Sequence, residues 1–140
     1  MESKVRRVLL VEDNDADAEL VISVMTDENL PVNIDRADDG EKALDILFNC
    51  YQSRDLSCII LDIKLPKIDG LEVLKIIKNN EIYKNTPVVV FTSSAEERDI
   101  ERGYMHGANA YVVKPLDFVQ YREAVLSIGN FWCKYNEMPI

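Results

Sequence analysis

The chain is poor in the residues that several kinds of protein require. Its 140 residues include one histidine, His106, so a histidine-built metal cluster or a His-rich catalytic centre has little to work with. Cysteines number three, Cys50, Cys58 and Cys133, with no Cys-x-x-Cys pair. An odd count without that spacing fits reduced cytosolic thiols better than a disulfide framework. Basic residues are outnumbered, 16 against 25 acids, for a formal charge of −9. That balance disfavours non-specific nucleic-acid binding and adsorption to anionic membranes. The run Val8–Val11, which follows a polar and charged N-terminus, is too short for a signal core or a membrane span. The expected location is the cytoplasm. No linker, repeat or low-complexity segment divides the chain, and 47% apolar residues suffice for the core of one ordinary domain, residues 1–140.

Short apolar runs alternate with longer helical patterns. Strands are expected at Val5–Val11, more weakly at Pro31–Ala37, then at Leu56–Leu61, Val88–Phe91 and Ala110–Val113. Helices are expected at Asn14–Glu28, Glu41–Cys50, Leu71–Lys78 and Ser94–His106, with a last one whose face carries Phe118, Tyr121, Val125, Ile128 and Trp132. Tyr51–Asp55 reads as a polar loop, Asp69-Gly70 as turn and cap, and Gly107 as the C-cap of the fourth helix. Gly103 weakens that helix. Five βα units with continuously apolar strands imply an α/β fold: a parallel sheet covered by helices on both faces, with right-handed crossovers.

In such a sheet, ligands bind beyond the carboxyl ends of the strands, at the topological switch point. Glu12 and Asp13 follow the first strand, Asp62 the third, Thr92 the fourth and Lys114 the fifth. Three acids, a hydroxyl and an ammonium thus meet at one rim. Clustered carboxylates raise one another's pKa, and a hard divalent cation bound through oxygens relieves the repulsion. Few side-chain ligands with several waters is the Mg2+ pattern. One carboxylate is then left to attack phosphorus as a nucleophile. The ammonium and the hydroxyl are placed to hold phosphoryl oxygens.

Val8–Asn14 (VLLVEDN), Leu61–Gly70 (LDIKLPKIDG), Val88–Ala95 (VVVFTSSA) and Gly107–Pro115 (GANAYVVKP) together resemble the receiver domains of response regulators, in order and spacing, over nearly the whole chain. The resemblance implies a flavodoxin-like, doubly wound sheet of order 2-1-3-4-5. It implies Asp62 as phosphoacceptor, and Mg2+ (or Mn2+) held by Asp62, by Asp13, by Glu12 through water and by the Lys64 backbone carbonyl. It makes Lys114 the phosphoryl partner, Thr92 the switch hydroxyl and Tyr111 the aromatic that swings inward with it. A cis Lys114–Pro115 bond is expected as well. Lys64 and Ser94 would flank the water that removes the phosphoryl group, and a lysine at the first of these positions is individual. It would exclude or orient that water, or pair with a rim acid.

The resemblance also implies the partners. A sensor histidine kinase or histidine phosphotransfer protein supplies the phosphoryl group. A downstream protein reads the face formed by Ser94–His106, Ala110–Val113 and Asp117–Trp132. The domain would be no enzyme on outside substrates, promoting only its own phosphoryl transfer and loss. With no output domain expected, the signal is a changed protein contact or a phosphate relay. The loop-rich stretch before Leu61 and the stretch Ile77–Glu97 are similar to the small regulators paired with bacterial phytochrome kinases. Two other readings stand beside this one, an interaction module that is never phosphorylated and an aspartyl phosphatase on small molecules. The intact rim set argues against the first. The absence of a general acid two residues after Asp62, and of room for a cap, argues against the second. The aromatic tail, Phe131, Trp132 and Tyr135, suits either packing on its own domain or a homodimer or partner surface. His106 reads as a solvated helix-end residue.

Overall fold

A computed structural model describes residues 6–51 and 56–138. Val5 of the expected first strand and most of the Tyr51–Asp55 loop lie outside these residues. The elements follow in the order β1 (Arg6–Val11), α1 (Asp15–Asp27), β2 (Val32–Ala37), α2 (Gly40–Asp45), a π-helical turn (Ile46–Cys50), β3 (Leu56–Leu61), α3 (Gly70–Lys78), β4 (Val88–Thr92), α4 (Glu97–Met105), β5 (Ala110–Val113), α5 (Phe118–Asn130) and a second π-helical turn (Phe131–Tyr135). The strands form one sheet in the order β2-β1-β3-β4-β5. All four pairings are parallel. β1 and β3 are central neighbours, and they are also where the strand order turns.

The alternation of a strand's side chains explains why the central strands read as continuously apolar. Leu9, Val11, Ile59, Leu61, Val88 and Val90 point to one face, where they pack with residues of α2 and α3 such as Ala43, Leu71, Leu74 and Ile77. Val8, Leu10, Cys58, Ile60, Val89 and Phe91 point to the other, under Val21, Val24 and Met25 of α1 and Tyr121, Val125 and Ile128 of α5. Every one of these side chains is buried. Burial of this kind contributes roughly 1.5–3 kcal/mol for each large apolar side chain.

Two helices differ in extent from the sequence expectation, and one residue of a third differs in burial. α4 begins at Glu97 because Ser94 is tied elsewhere, as described below. The second helix stays regular only to Asp45, then opens into a wider turn in which the Tyr51 N–H donates to the Ile46 carbonyl at 3.0 Å. There the Leu47 carbonyl accepts instead from the buried Tyr83 hydroxyl at 2.5 Å. Phe118, expected on the apolar face of the last helix, opens α5 with 61% of its surface exposed. The tail divides: Cys133 is buried and Trp132 half-buried, while Phe131 and Tyr135 face outward. No peptide bond is cis among the described residues, so the Lys114–Pro115 bond is trans, contrary to expectation.

Two glycines have conformational reasons. Gly107 closes α4 at φ +102°, a region that favours glycine. A Cβ on Gly70 would stand 2.4 Å from the Ile63 Cα and 2.5 Å from the Asp62 carbonyl oxygen, so only glycine lets α3 start so close to the end of β3. Asp69 caps that helix, its side chain accepting from the Leu71 N–H at 3.3 Å. Turn and cap are therefore the roles of Asp69-Gly70, as their pattern suggested.

Candidate functional site

The strand ends deliver the rim residues as ladder extensions rather than as loose loop positions. The Glu12 N–H donates to the Ala37 carbonyl and the Asp62 N–H to the Val11 carbonyl, each at 3.0 Å. The Lys114 N–H donates to the Thr92 carbonyl at 2.7 Å. Glu12, Asp62 and Thr92 are consequently buried, at 3%, 6% and 0% exposure, whereas Asp13 is exposed. Carboxylate oxygens of Glu12, Asp13 and Asp62 all lie within 4.8 Å of one another.

One ammonium answers them. The Lys114 Nζ stands 2.6 Å from Glu12 Oε1, 3.0 Å from Asp62 Oδ2 and 3.1 Å from Asp17 Oδ2. Its side chain is only 8% exposed. Burial pulls this ammonium down, but the hydrogen bond to Glu12 and the charge of Asp62 outweigh burial and hold its pKa above the ordinary lysine range. Burial drives Glu12 the other way, pushing its carboxyl to about 7; the Lys114 hydrogen bond opposes this, and the Asp62 charge adds to it. Glu12 Oε2 also accepts from the Asn14 N–H at 3.2 Å. Arg36 holds the loop from outside, donating to the Glu12 and Asp13 carbonyls at 3.1 and 3.3 Å.

The acceptor side is equally ordered. Asp62 Oδ1 accepts from the Lys64 N–H at 3.1 Å, leaving Oδ2 to Lys114. Thr92 Oγ accepts from the Ser94 N–H at 3.4 Å. Its own hydroxyl hydrogen therefore stays available for donation. The Ser94 carbonyl takes the Tyr111 hydroxyl at 2.9 Å. The Tyr111 ring packs against Gly103 of α4, where a Cβ would stand 3.1 Å from a ring carbon. Gly103, which the helical pattern marked as a weakness, thus makes room for that ring.

The structure brings together Glu12, Asp13, Asp62, Thr92 and Lys114 as the strand-end argument required. Lys64, Ser94 and Tyr111 lie beside them. Three participants were not singled out from sequence. Asp17, legible only as a helix-dipole acid, bridges Lys114 and the Tyr121 hydroxyl, which donates to Asp17 Oδ1 at 2.9 Å. Tyr121 was legible only as one member of the last helix's apolar face, within the expected partner surface. Asp99, in the first turn of α4, accepts from Ser94 Oγ at 2.6 Å and stands 3.6 Å from the Lys64 Nζ. The available signal was position: Asp17 follows Glu12 by five residues and Asp99 follows Thr92 by seven, each in the first turn of the helix that leaves its strand.

An all-oxygen, acidic and largely buried donor set is what a hard divalent cation requires, and the cluster fits one. Oxygen donors alone do not suit the softer, thiolate-seeking metals.

A fold with ligands at the switch point of a 2-1-3-4-5 sheet, and an acid cluster facing a buried lysine there, defines a class that comparison with known proteins makes specific. The model of the response regulator receiver domain matches residues 8–126, and the chain belongs to that family. Receiver domains of this family act in two-component signalling. Among its relatives, a probable methanogenesis regulatory protein of Methanothrix harundinacea, FilR2, is 37% identical over 94% of this chain and 86% of its own length. Response regulator Rcp1 of Synechocystis is 34% identical over 94% of this chain and 92% of its own. The Mn2+-bound form of Rcp1 superposes with a TM-score of 0.87, covering 96% of this chain and 99% of that one. A phosphorylated cyanobacterial phytochrome response regulator, RcpA, is 33% identical with a TM-score of 0.90 over 98% and 100% of the two chains. Among the described residues no helix is long and apolar enough to cross a membrane.

Proposed function

We propose that this chain is a single-domain response regulator, residues 1–140, that takes a phosphoryl group onto Asp62 from a phosphohistidine. The observation that carries the reading is the Asp62 carboxylate held between the Lys64 N–H at 3.1 Å and the Lys114 ammonium at 3.0 Å, at a rim shared with Glu12, Asp13 and Thr92. In the transfer, an Asp62 oxygen forms a bond to phosphorus as the phosphorus–nitrogen bond breaks, and the donor imidazole keeps that electron pair. Lys114 exchanges a carboxylate contact for a phosphoryl oxygen, and the Thr92 hydroxyl donates to a second one. Loss of the group is a second substitution at phosphorus: a water oxygen bonds to phosphorus as the bond from phosphorus to the Asp62 oxygen breaks, releasing inorganic phosphate and the free carboxylate. A divalent cation, Mg2+ in the proposed physiological case, would be held by Asp13, Asp62, the Lys64 carbonyl and, through water, Glu12. When bound it neutralises oxygen charge on the group in transit.

Thr92 and Tyr111 are the switch pair in this reading, because both bond to Ser94 at the entrance to α4. The face they adjoin exposes Tyr104, Met105, Val113, Leu116 and Val119. A downstream protein partner would dock there, and the outward Phe131 and Tyr135 of the tail would serve a second protein contact, with a homodimer as one form. The likeness to RcpA supports a phytochrome-type sensor kinase as donor, acting in the cytoplasm.

The test is intact-mass measurement after incubation with acetyl phosphate. A phosphoryl adduct that needs Mg2+, disappears with chelator and is absent from Asp62→Asn is the expected result. A chain that binds no divalent ion and forms no adduct, with acetyl phosphate or with a phosphohistidine donor, would instead be an unphosphorylated interaction module.

A further inference from the structure

Lys64 follows the acceptor by two residues, yet its ammonium is not on the acceptor. It stands 3.6 Å from Asp99 Oδ2, across the loop in the first turn of α4. The Asp99 side chain is 6% exposed and the Lys64 side chain 63%. Asp99 is pinned from the other side by Ser94 Oγ at 2.6 Å. Asp99 is therefore a buried, hydrogen-bonded anchor, and Lys64 is an exposed cation leaning on it. The anchor is also tied to the β4–α4 loop, since Ser94 of that loop bonds Thr92 Oγ, Asp99 and Tyr111 at once.

We propose that Asp99 is a positioning residue that holds the Lys64 ammonium away from the phosphoryl group on Asp62 and so shortens the life of the phosphorylated state. The proposal rests on Asp62 being the acceptor. The phosphoryl group carries about 1.5 to 2 negative charges, and because Asp62 gives up its own carboxylate charge in forming the acyl phosphate, about one more negative charge than before faces the Lys64 stem. Lys64 then has two anions to choose between. On the phosphoryl oxygens, the ammonium stabilises the charged group and fills space through which water approaches. On Asp99 it does neither. Asp99 thus competes for the lysine, and each rearrangement of Lys64 loosens or restores a tie between the acceptor loop and α4.

The tether is separable from a structural role. Asp99→Asn keeps an oxygen for Ser94 Oγ and removes only the charge. Its phosphoryl half-life is expected to lengthen by about two- to fivefold, the range that a partly exposed ion pair spans. Asp99→Glu keeps the charge and should stay close to the original half-life. In a Lys64→Gln background, Asp99→Asn should change nothing, because the group it releases is gone. Lys64→Gln removes the ammonium and retains the backbone carbonyl proposed to hold the cation, and its half-life should not exceed that of the unsubstituted chain.

The experiment labels the four chains and the double variant with acetyl phosphate and Mg2+. Donor is then removed and the adduct followed by intact mass. An unchanged half-life in labelled Asp99→Asn overturns the tether, as does an equal lengthening in the Lys64→Gln background or a Lys64→Gln adduct that outlives the original. An unsubstituted chain that never labels overturns the acceptor assignment and the tether with it, so the two failures are distinguishable.

Discussion

Replacing Lys114 with methionine keeps the length of the side chain and removes its charge from the middle of three carboxylates. The ammonium lies 2.6 Å from Glu12 and 3.0 Å from Asp62, and those two side chains are 4% and 7% exposed. Removing one partner of a buried ion pair typically costs about 3–5 kcal/mol, because the remaining charge is left uncompensated. Glu12 limits that cost. Its carboxyl is already at about 7 with Lys114 present. Without the lysine it takes up a proton more readily still, so the loss should be smallest near pH 6 and approach the full figure near pH 8.5. A divalent cation should reverse much of it. Lys114 occupies Glu12 Oε1 and Asp62 Oδ2, on two of the carboxylates proposed to hold the cation. The variant should therefore bind Mg2+ at least about tenfold tighter, equivalent to about 1.4 kcal/mol. Urea unfolding at both pH values, with chelator and with saturating Mg2+, measures every part of this. A cost independent of Mg2+ and pH, or a weaker affinity for the ion, would refute the reasoning that lysine and cation share these carboxylates.

Further outcomes follow from the same geometry. With chelator present, Glu12 should make stability fall as pH rises. Its folded pKa of about 7 exceeds its ordinary value of 4.5, so the folded state holds more protons in that window, and up to about 3 kcal/mol is lost as pH climbs through it. Glu12→Gln should flatten that slope in thermal melts taken at several pH values. Asp13→Ala should raise chelator stability by about 0.5–1 kcal/mol, since it removes one exposed member of a cluster whose oxygens lie within 4.8 Å, and should lose stabilisation by Mg2+. Gly70→Ala forces a Cβ to 2.5 Å from the Asp62 carbonyl. Chemical denaturation should show a loss of about 1–3 kcal/mol, with slower labelling because the acceptor loop must shift. Tyr121→Phe strips Asp17 of a 2.9 Å hydrogen bond and should cost about 1–2 kcal/mol in the same assay.

How much of this was legible in the sequence depended on how local the cause is. The inner runs Val8–Val11 of β1, Cys58–Leu61 of β3 and Val88–Phe91 of β4 are buried on both faces, so their residues had to be apolar without interruption, and Glu12, Asp62 and Thr92 marked where those runs end. Once those ends were known, the rim followed from the parallel topology alone. Helix boundaries were less legible where a side chain elsewhere decides them. Ser94 has the residue type of a helix start, but its three bonds to Thr92, Asp99 and Tyr111 delay α4 to Glu97. Tyr83 claims the Leu47 carbonyl from 36 residues away, which no window around Leu47 contains. Asp17 and Asp99 carried no mark of their own, because an acid in a first helical turn is ordinary dipole chemistry. Only the fold reveals that one of them touches Lys114 and the other Lys64.

The central claim is that Asp62, among several neighbouring acids, is the residue that carries the phosphoryl group. Borohydride reduces an acyl phosphate to an alcohol and leaves free carboxylates intact, so treatment of the labelled chain converts the phosphorylated aspartate to homoserine. Peptide mapping by mass spectrometry then reads its position. Homoserine at residue 62, dependent on Mg2+ during labelling, is the predicted result. Homoserine at residue 12, 13 or 17, or labelling that persists in Asp62→Asn, would contradict the account.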